Sequence, residues 1–117
     1  MRQSHRSGRL AHEIRIQLAQ IVNRMADPRV GLASVTEVRL SPDLRHAHVL
    51  VSVLGREEEQ QRSLMALEAA RHYLRHQLAG ELQLRFTPDL TFELDRSFEA
   101  TSRVDELLHR AKKQGEK

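Results

Sequence analysis

Apolar residues in the first quarter of the chain recur with the period of a helix. The stripe consists of Leu10, Ile14, Leu18, Ile21, Val22 and Met25. Steps of three and four residues place these side chains on one face, which predicts a first helix that begins near Leu10. The helix is predicted to end at 27–31, because Pro28 disfavours helical dihedrals at Asp27 and Gly31 can adopt a positive φ.

Two β-type segments follow, at about 35–40 and 46–54, separated by the turn residues Ser41-Pro42-Asp43. In the second segment one face carries only apolar side chains: Ala47, Val49, Val51 and Val53. A period of two is expected of a strand with one buried side. The pattern therefore predicts an antiparallel pair of strands.

The next helical segment carries a cation on its apolar face. Acidic residues at 57–59 favour a helix start, and the stripe consists of Leu64, Leu67, Leu74 and Leu78. Arg71 falls inside this stripe, and burying a guanidinium is costly unless it is paired. We therefore predict a break at 69–72 that turns Arg71 outward. The alternative is a straight helix in which Arg71 extends along the edge of the stripe.

After Gly80, which is expected to end the helix, apolar residues occupy even positions. They are Leu82, Leu84, Phe86, Leu90, Phe92 and Leu94. This alternation predicts a long strand with one buried face, and Pro88 places it at a sheet edge or at a bulge. Leu18, Val51, Leu74, Phe86 and Phe92 are predicted to share one core. A last helix is predicted from Ser102, with Asp105 completing an approximate capping box.

Composition narrows the classes of protein. A chain of 117 residues suits one domain, and its 16 Arg and 3 Lys exceed 16 acidic residues by three. The excess of arginine suits phosphate recognition. The absence of cysteine excludes disulfides and thiolate metal sites, and no apolar run reaches the length of a membrane span, so we expect a cytoplasmic protein with no membrane partner. Four scattered aromatic residues predict that phosphate contacts would lead any RNA binding.

Motifs for catalysis or cofactor binding are absent. The glycines are too far apart for a phosphate-binding loop, and no serine lies in a Gly-x-Ser-x-Gly frame. His72 and His76 have helical spacing, and His46 and His48 share a strand face, but neither pair has an evident third ligand. We therefore expect no enzyme activity, no cofactor, no metal and no small-molecule substrate.

Basic residues cluster beside the predicted break and at both ends of the chain. Backbone N–H groups at a helix break attract phosphate, which makes the break the centre of the candidate site. The candidate RNA-binding residues are Arg2, Arg6, Arg9, Arg29, Ala70, Arg71, His72, Arg75, His76, Arg85, Arg110, Lys112 and Lys113. Arg2, Arg6 and Arg9 are interpreted as a basic arm ahead of the first helix.

Four separated motifs carry a resemblance to a known family. They are Asp27-Pro28-Arg29-Val30-Gly31, Leu40-Ser41-Pro42-Asp43-Leu44 with the strand at 47–55, Leu84-Arg85-Phe86-Thr87-Pro88-Asp89-Leu90-Thr91-Phe92, and Ser102-Arg103-Val104-Asp105-Glu106-Leu107-Leu108. Because these motifs occur in this order along the chain, it resembles type II KH domains and, more narrowly, the ribosome-binding factor A family, from about Arg9 to Leu108.

The resemblance implies a fold and a function. The fold is a single α+β, type II KH-like domain in the order α-β-β-α-kink-α-β-α, with a three-stranded mixed sheet packed on helices. The implied segments are a basic flexible arm at 1–8, the RNA-binding domain at 9–110 and a basic tail at 111–117. Family members have Ala-x-Gly at the kink, where Ala70 matches the Ala, but His72 stands in place of the Gly and Thr101 in place of a common Gly before the last helix.

The resemblance further implies an assembly factor that binds the small (30S) ribosomal subunit and its 16S rRNA, and we expect it to act as a monomer. It would promote late maturation and processing of the 5′ region of the precursor rRNA, above all in the cold. The alternative hypothesis is a protein–protein adaptor that uses an exposed sheet edge near Pro88 and needs its arginines only for solubility.

Overall fold

The computed structural model describes the backbone of residues 2–97 and the side chains of residues 8–97. Its elements are α1 (Arg2–Arg24), β1 (Ala33–Leu40), β2 (His46–Val53), α2 (Glu57–Ala69), α3 (Arg71–Leu82) and β3 (Asp89–Leu94). The predicted α+β class and the order of these elements are confirmed. The helix predicted from Ser102 and the basic tail at 111–117 lie outside the described residues.

The sheet is three-stranded and mixed, as predicted, in the order β1-β2-β3. β1 pairs antiparallel with β2, and β3 pairs parallel with β2, so β3 lies at an edge of the sheet. A bulge between Val35 and Glu37 leaves Thr36 outside the ladder. The Thr36 hydroxyl lies 2.6 Å from Oδ2 of Asp95, which connects the bulge of β1 to the end of β3.

One face of the sheet forms the core with the three helices. The side chains at 47, 49, 51 and 53 are all buried, which confirms the predicted inner face of β2. Four of the five residues predicted to share a core do so: Leu18, Val51, Leu74 and Phe92 belong to one buried cluster. Phe86 does not, because its side chain is 79% exposed.

The first helix starts earlier than its apolar stripe. Its backbone is helical from Arg2, so the predicted start near Leu10 was wrong, and Arg2, Arg6 and Arg9 lie within α1 rather than on an arm ahead of it. The apolar stripe marks the turns that belong to the core. A formed helix extends by one hydrogen bond per residue, and no proline interrupts residues 2–9.

The predicted long strand at 82–94 is also wrong over its first half. α3 continues through Gly80 to Leu82, since one glycine costs a helix only about 1 kcal/mol. Gln83 ends the helix in a left-handed conformation (φ 50°, ψ 42°) and donates its N–H to the Ala79 carbonyl at 2.9 Å. Leu82 therefore lies in α3, one turn after Leu78. The apolar residues at 84 and 86 lie in a loop, where their alternation arises by chance.

The carboxylate of Asp95 makes the free energy of unfolding depend on pH in the acidic range. Hydrogen bonds from the Ser97 and Thr36 hydroxyls and from the Ser97 N–H hold the pKa of Asp95 below its ordinary value of 3.8. A lowered pKa stabilises the folded state above the unfolded pKa, and this contribution is lost as pH falls through the folded pKa. We expect the free energy of unfolding to fall below about pH 4, and Asp95→Asn to flatten that dependence in urea titrations between about pH 5 and pH 3. An unchanged pH dependence in Asp95→Asn would contradict this role.

Candidate nucleic-acid interface

The second helical segment is interrupted at Ala70, which confirms the predicted break and excludes the straight helix. Ala70 has φ −89° and ψ 6°, and its N–H is shared between the carbonyls of Ala66 (3.0 Å) and Leu67 (3.1 Å). Its carbonyl accepts the N–H of Leu74 at 2.9 Å, so the first bond of α3 starts at the interruption. The break needs no glycine.

The break lets apolar residues on both sides reach the core while the cation between them stays outside. Leu67 and Leu74 are each fully buried, whereas Arg71 is exposed. The predicted outward position of Arg71 is therefore confirmed. No acidic side chain within the described residues 8–97 forms an ion pair with Arg71. The guanidinium thus lies in solvent at the first turn of α3.

A shallow groove of about 430 Å³ lies between α3 and the loop that leads to β3. It is lined by His72, Arg75, His76 and Ala79 from α3, and by Arg85, Phe86 and Thr87 from the loop. The groove brings together four of the residues predicted for RNA binding, although three of them lie on the helix and Arg85 on the loop. His72, which stands at the kink where the resemblance expects a glycine, lines this groove.

Arg75 differs from its neighbours in the groove, because the protein itself binds its guanidinium. Nε and Nη2 donate to the Thr87 carbonyl at 3.1 and 2.9 Å. Nη1 lies 3.5 Å from Oδ1 of Asp89. The two hydrogen bonds converge on one carbonyl oxygen and hold the loop at Thr87 against the helix. Arg75 therefore positions the loop against α3, and Arg85 is the better placed cation for a ligand.

Arg29 lies in a second depression, on which Arg24 and Tyr73 also border. Its Nε and Nη2 donate to both carboxylate oxygens of Asp27, at 3.1 and 2.8 Å. The Arg29 guanidinium holds the pKa of the Asp27 carboxyl below its ordinary value. This neutralised pair was not foreseen, and it makes Arg29 a weaker candidate for a phosphate contact than the sequence indicated.

The remaining predicted site residues are not gathered at the groove. Arg9 is exposed on α1, Ala70 is half-buried at the break, and the backbone of Arg2 and Arg6 lies in the first turns of α1. Arg110, Lys112 and Lys113 lie outside the described residues. The described side chains contain no group of three His, Asp or Glu that could hold a metal. His48 instead contacts Thr91 and Glu93 across the sheet.

Phe86 is the site residue that sequence reasoning missed. Its even position between Leu84 and Leu90 assigned it to the core, yet its ring is exposed on the groove. The signal was available in the spacing of the preceding leucines. Leu78 and Leu82 are four residues apart, which is helical spacing, so a connection had to precede any strand.

The fold and the groove define a class of protein: a small α+β domain with exposed cations beside an interrupted helix pair. Among residues 2–97, none of the helices has the length and apolar character to span a bilayer. The sequence model of the family described as Ribosome-binding factor A matches residues 6–108. The chain belongs to this family.

Individual relatives agree with that membership. The chain is 47% identical over 106 residues to ribosome-binding factor A of Thermomicrobium roseum, covering 90% of this chain and 82% of the relative. The crystal structure of ribosome-binding factor A from Thermus thermophilus is similar, with a TM-score of 0.70 and 32% identity over 78% of this chain and 97% of that one. A Thermus thermophilus homology model fitted into a cryo-EM map of a 30S complex matches with a TM-score of 0.63 and 32% identity, over 74% of this chain and 91% of that one.

Proposed function

We propose that this protein is a ribosome assembly factor that binds the small ribosomal subunit through 16S rRNA. The observation that carries the proposal is the exposure of two arginines that no carboxylate of the described residues binds, Arg71 at the helix break and Arg85 in the groove. Family membership supports it, and so does the Thermus thermophilus relative, which has been fitted into a map of a 30S complex.

The two exposed arginines stand on different elements, Arg71 at the break and Arg85 on the loop that lines the groove. Arg71 stands at the first turn of α3, and Arg85 stands on the loop that Arg75 fastens to the same helix. Within residues 8–97 no carboxylate pairs with either cation. Release of condensed counterions from RNA would then supply much of the binding free energy. In this proposal His72 and His76 add donors at the same groove.

The proposed action is selective binding rather than chemistry. The protein would bind the mature conformation of the rRNA more tightly than immature ones, and only such a difference in affinity can shift the conformational equilibrium. We place this step late in subunit maturation, where it would favour processing of the 5′ region of the precursor and matter most in the cold. The protein would act in the cytoplasm as a monomer without a cofactor, through a binding domain at 9–110 and a basic tail at 111–117.

The sheet edge is less suited to partner binding than the sequence indicated. The adaptor hypothesis uses the sheet edge near Pro88, and Pro88 itself is buried. The N–H of Phe92 in β3 donates to Oε1 of Glu68 at 3.2 Å, so a side chain of α2 already occupies one donor of this edge. An added strand needs those backbone groups. The occupied donor weighs against an added strand at this edge.

Co-sedimentation with purified subunits tests the proposed function. We expect the protein to pellet with small subunits and not with large ones, and we expect log K to fall linearly with log salt concentration. Equal recovery with both subunits would contradict the proposed partner. Binding that is selective but insensitive to salt would favour the protein–protein adaptor.

A further inference from the structure

Phe86 presents an aromatic ring to solvent where the fold does not need it. The side chain is 79% exposed, the largest exposed fraction among the large apolar residues of the described part of the chain. It lies on the wall of the groove, next to Arg85 in sequence and across from His72 and His76. An exposed ring in a basic groove is suited to stacking on a nucleobase.

The loop that carries Phe86 is fixed at both ends. At its start the Gln83 N–H caps α3 on the Ala79 carbonyl, and near its end Arg75 donates twice to the Thr87 carbonyl. Directly after it, the N–H of Asp89 donates to the Arg45 carbonyl at 2.8 Å, where β3 begins. A ligand that contacts the ring therefore meets a loop already held against the domain, which reduces the entropic cost of binding.

The charges around the ring select among possible ligands. Arg85 projects from the same loop, and His72 and His76 line the facing helix. The carboxylate of Asp89, just beyond the loop, lies 3.5 Å from the Arg75 guanidinium. An anionic chain with accessible π-faces fits this arrangement. Single-stranded RNA has both features, whereas in a duplex the faces of the bases are already stacked on one another.

We propose that Phe86 stacks on an unpaired base, so that the groove binds a single-stranded segment of RNA in preference to a duplex. This inference rests on the proposed function and specifies the form of RNA that the same site takes. Arg85 would hold the phosphate next to the stacked base. The ring would contribute affinity that is independent of salt, and the guanidinium affinity that depends on it.

A tryptophan probe tests the stacking directly, because the chain contains no tryptophan. In Phe86→Trp the new indole is the only one, and stacking on a base should quench its fluorescence. We expect quenching by a single-stranded oligouridine or oligoadenosine of about ten nucleotides, and little by an RNA duplex at equal phosphate concentration. Met65→Trp is the matched control, since Met65 is 71% exposed on α2 and does not line this groove.

Removal of the ring gives the complementary measurement. Phe86→Ala should weaken binding of the single-stranded oligonucleotide by about 5- to 100-fold without changing the salt slope, whereas Arg85→Gln should lower the slope by about one unit. Equal affinity of Phe86→Ala and the original protein would overturn the stacking. So would quenching by a duplex or by polyglutamate in place of the single strand. Selective co-sedimentation with small subunits would persist in those cases, which separates failure of this inference from failure of the proposed function.

Discussion

Phe92→Ala is expected to lower the free energy of unfolding by about 3–5 kcal/mol. Phe92 is 6% exposed and belongs to the core cluster, where β3 packs beside the fully buried Val49 of β2. The loss combines the burial free energy of the ring with the cost of the cavity left behind. A domain of this size has a total stability of about 5–15 kcal/mol, so urea denaturation should show a large shift of the midpoint.

Phe86→Ala is the matched control for this prediction. Both rings stand at even positions in the same apolar alternation, but only Phe92 is buried. We expect the loss at position 86 to stay within about 0.5 kcal/mol, as for other exposed sites. A loss below about 1 kcal/mol in Phe92→Ala, or similar losses in both variants, would mean that the inner face of β3 is assigned incorrectly.

The double variant Arg71→Gln with Arg85→Gln is expected to bind small subunits at least about a hundredfold more weakly. A hydrogen bond to a charged group contributes about 1.5–3 kcal/mol, and about 1.4 kcal/mol is a factor of ten in affinity. The slope of log K against log salt should fall by about two units. Both guanidinium groups are exposed, so the unfolding free energy should stay close to that of the original protein.

The control for this loss is Arg39→Gln with Arg56→Gln, which removes the same net charge elsewhere. Arg39 pairs with Glu37 at 3.1 Å on the sheet, and Arg56 precedes α2. Binding by the control variant should remain within a few-fold of the original, since neither residue lines the groove or lies at the break. Equal weakening in both double variants would show that overall charge, rather than these two positions, governs binding.

The spacing of apolar residues was sufficient to predict an element and its buried face where one side of that element packs in the core. The four-residue and three-residue steps of α1 and the alternation of β2 each identify a buried face. Arg71 also located the break, because a charged group in an apolar stripe has no inexpensive place in a straight helix. The stripe, the alternation and the break all follow from which side chains are buried, and burial on one face leaves a visible period of apolar residues in the sequence.

Periodicity failed where a segment carries no apolar stripe, or carries one by chance. Residues 2–9 have no apolar stripe, so the first turns of α1 left no signal. The loop before β3 carries Leu84 and Phe86 at positions that match a strand by chance, and its conformation depends on the Gln83 cap and on Arg75. Such contacts join residues from different elements, so they cannot be predicted from local secondary-structure propensities or from the spacing of apolar residues.

The sequence indicated which basic residues could form the candidate site, but not how their side chains are arranged. His72, His76 and Arg85 do meet in one groove, yet Arg75 and Arg29 are bound by Thr87 and Asp27. Sequence alone cannot distinguish a cation that faces solvent from one that fixes a loop. The exposed ring of Phe86 required the structure for the same reason.

A cryo-EM reconstruction of the protein on purified small subunits tests the central claim most directly. The account predicts that the α2–α3 break and the loop at 83–88 face 16S rRNA, with backbone phosphates within about 4 Å of the Arg71 and Arg85 guanidinium groups. It also predicts that the edge of β3 makes no strand pairing with a ribosomal protein. A reconstruction in which this groove faces solvent, or in which β3 is extended by a strand of a ribosomal protein, would contradict the account.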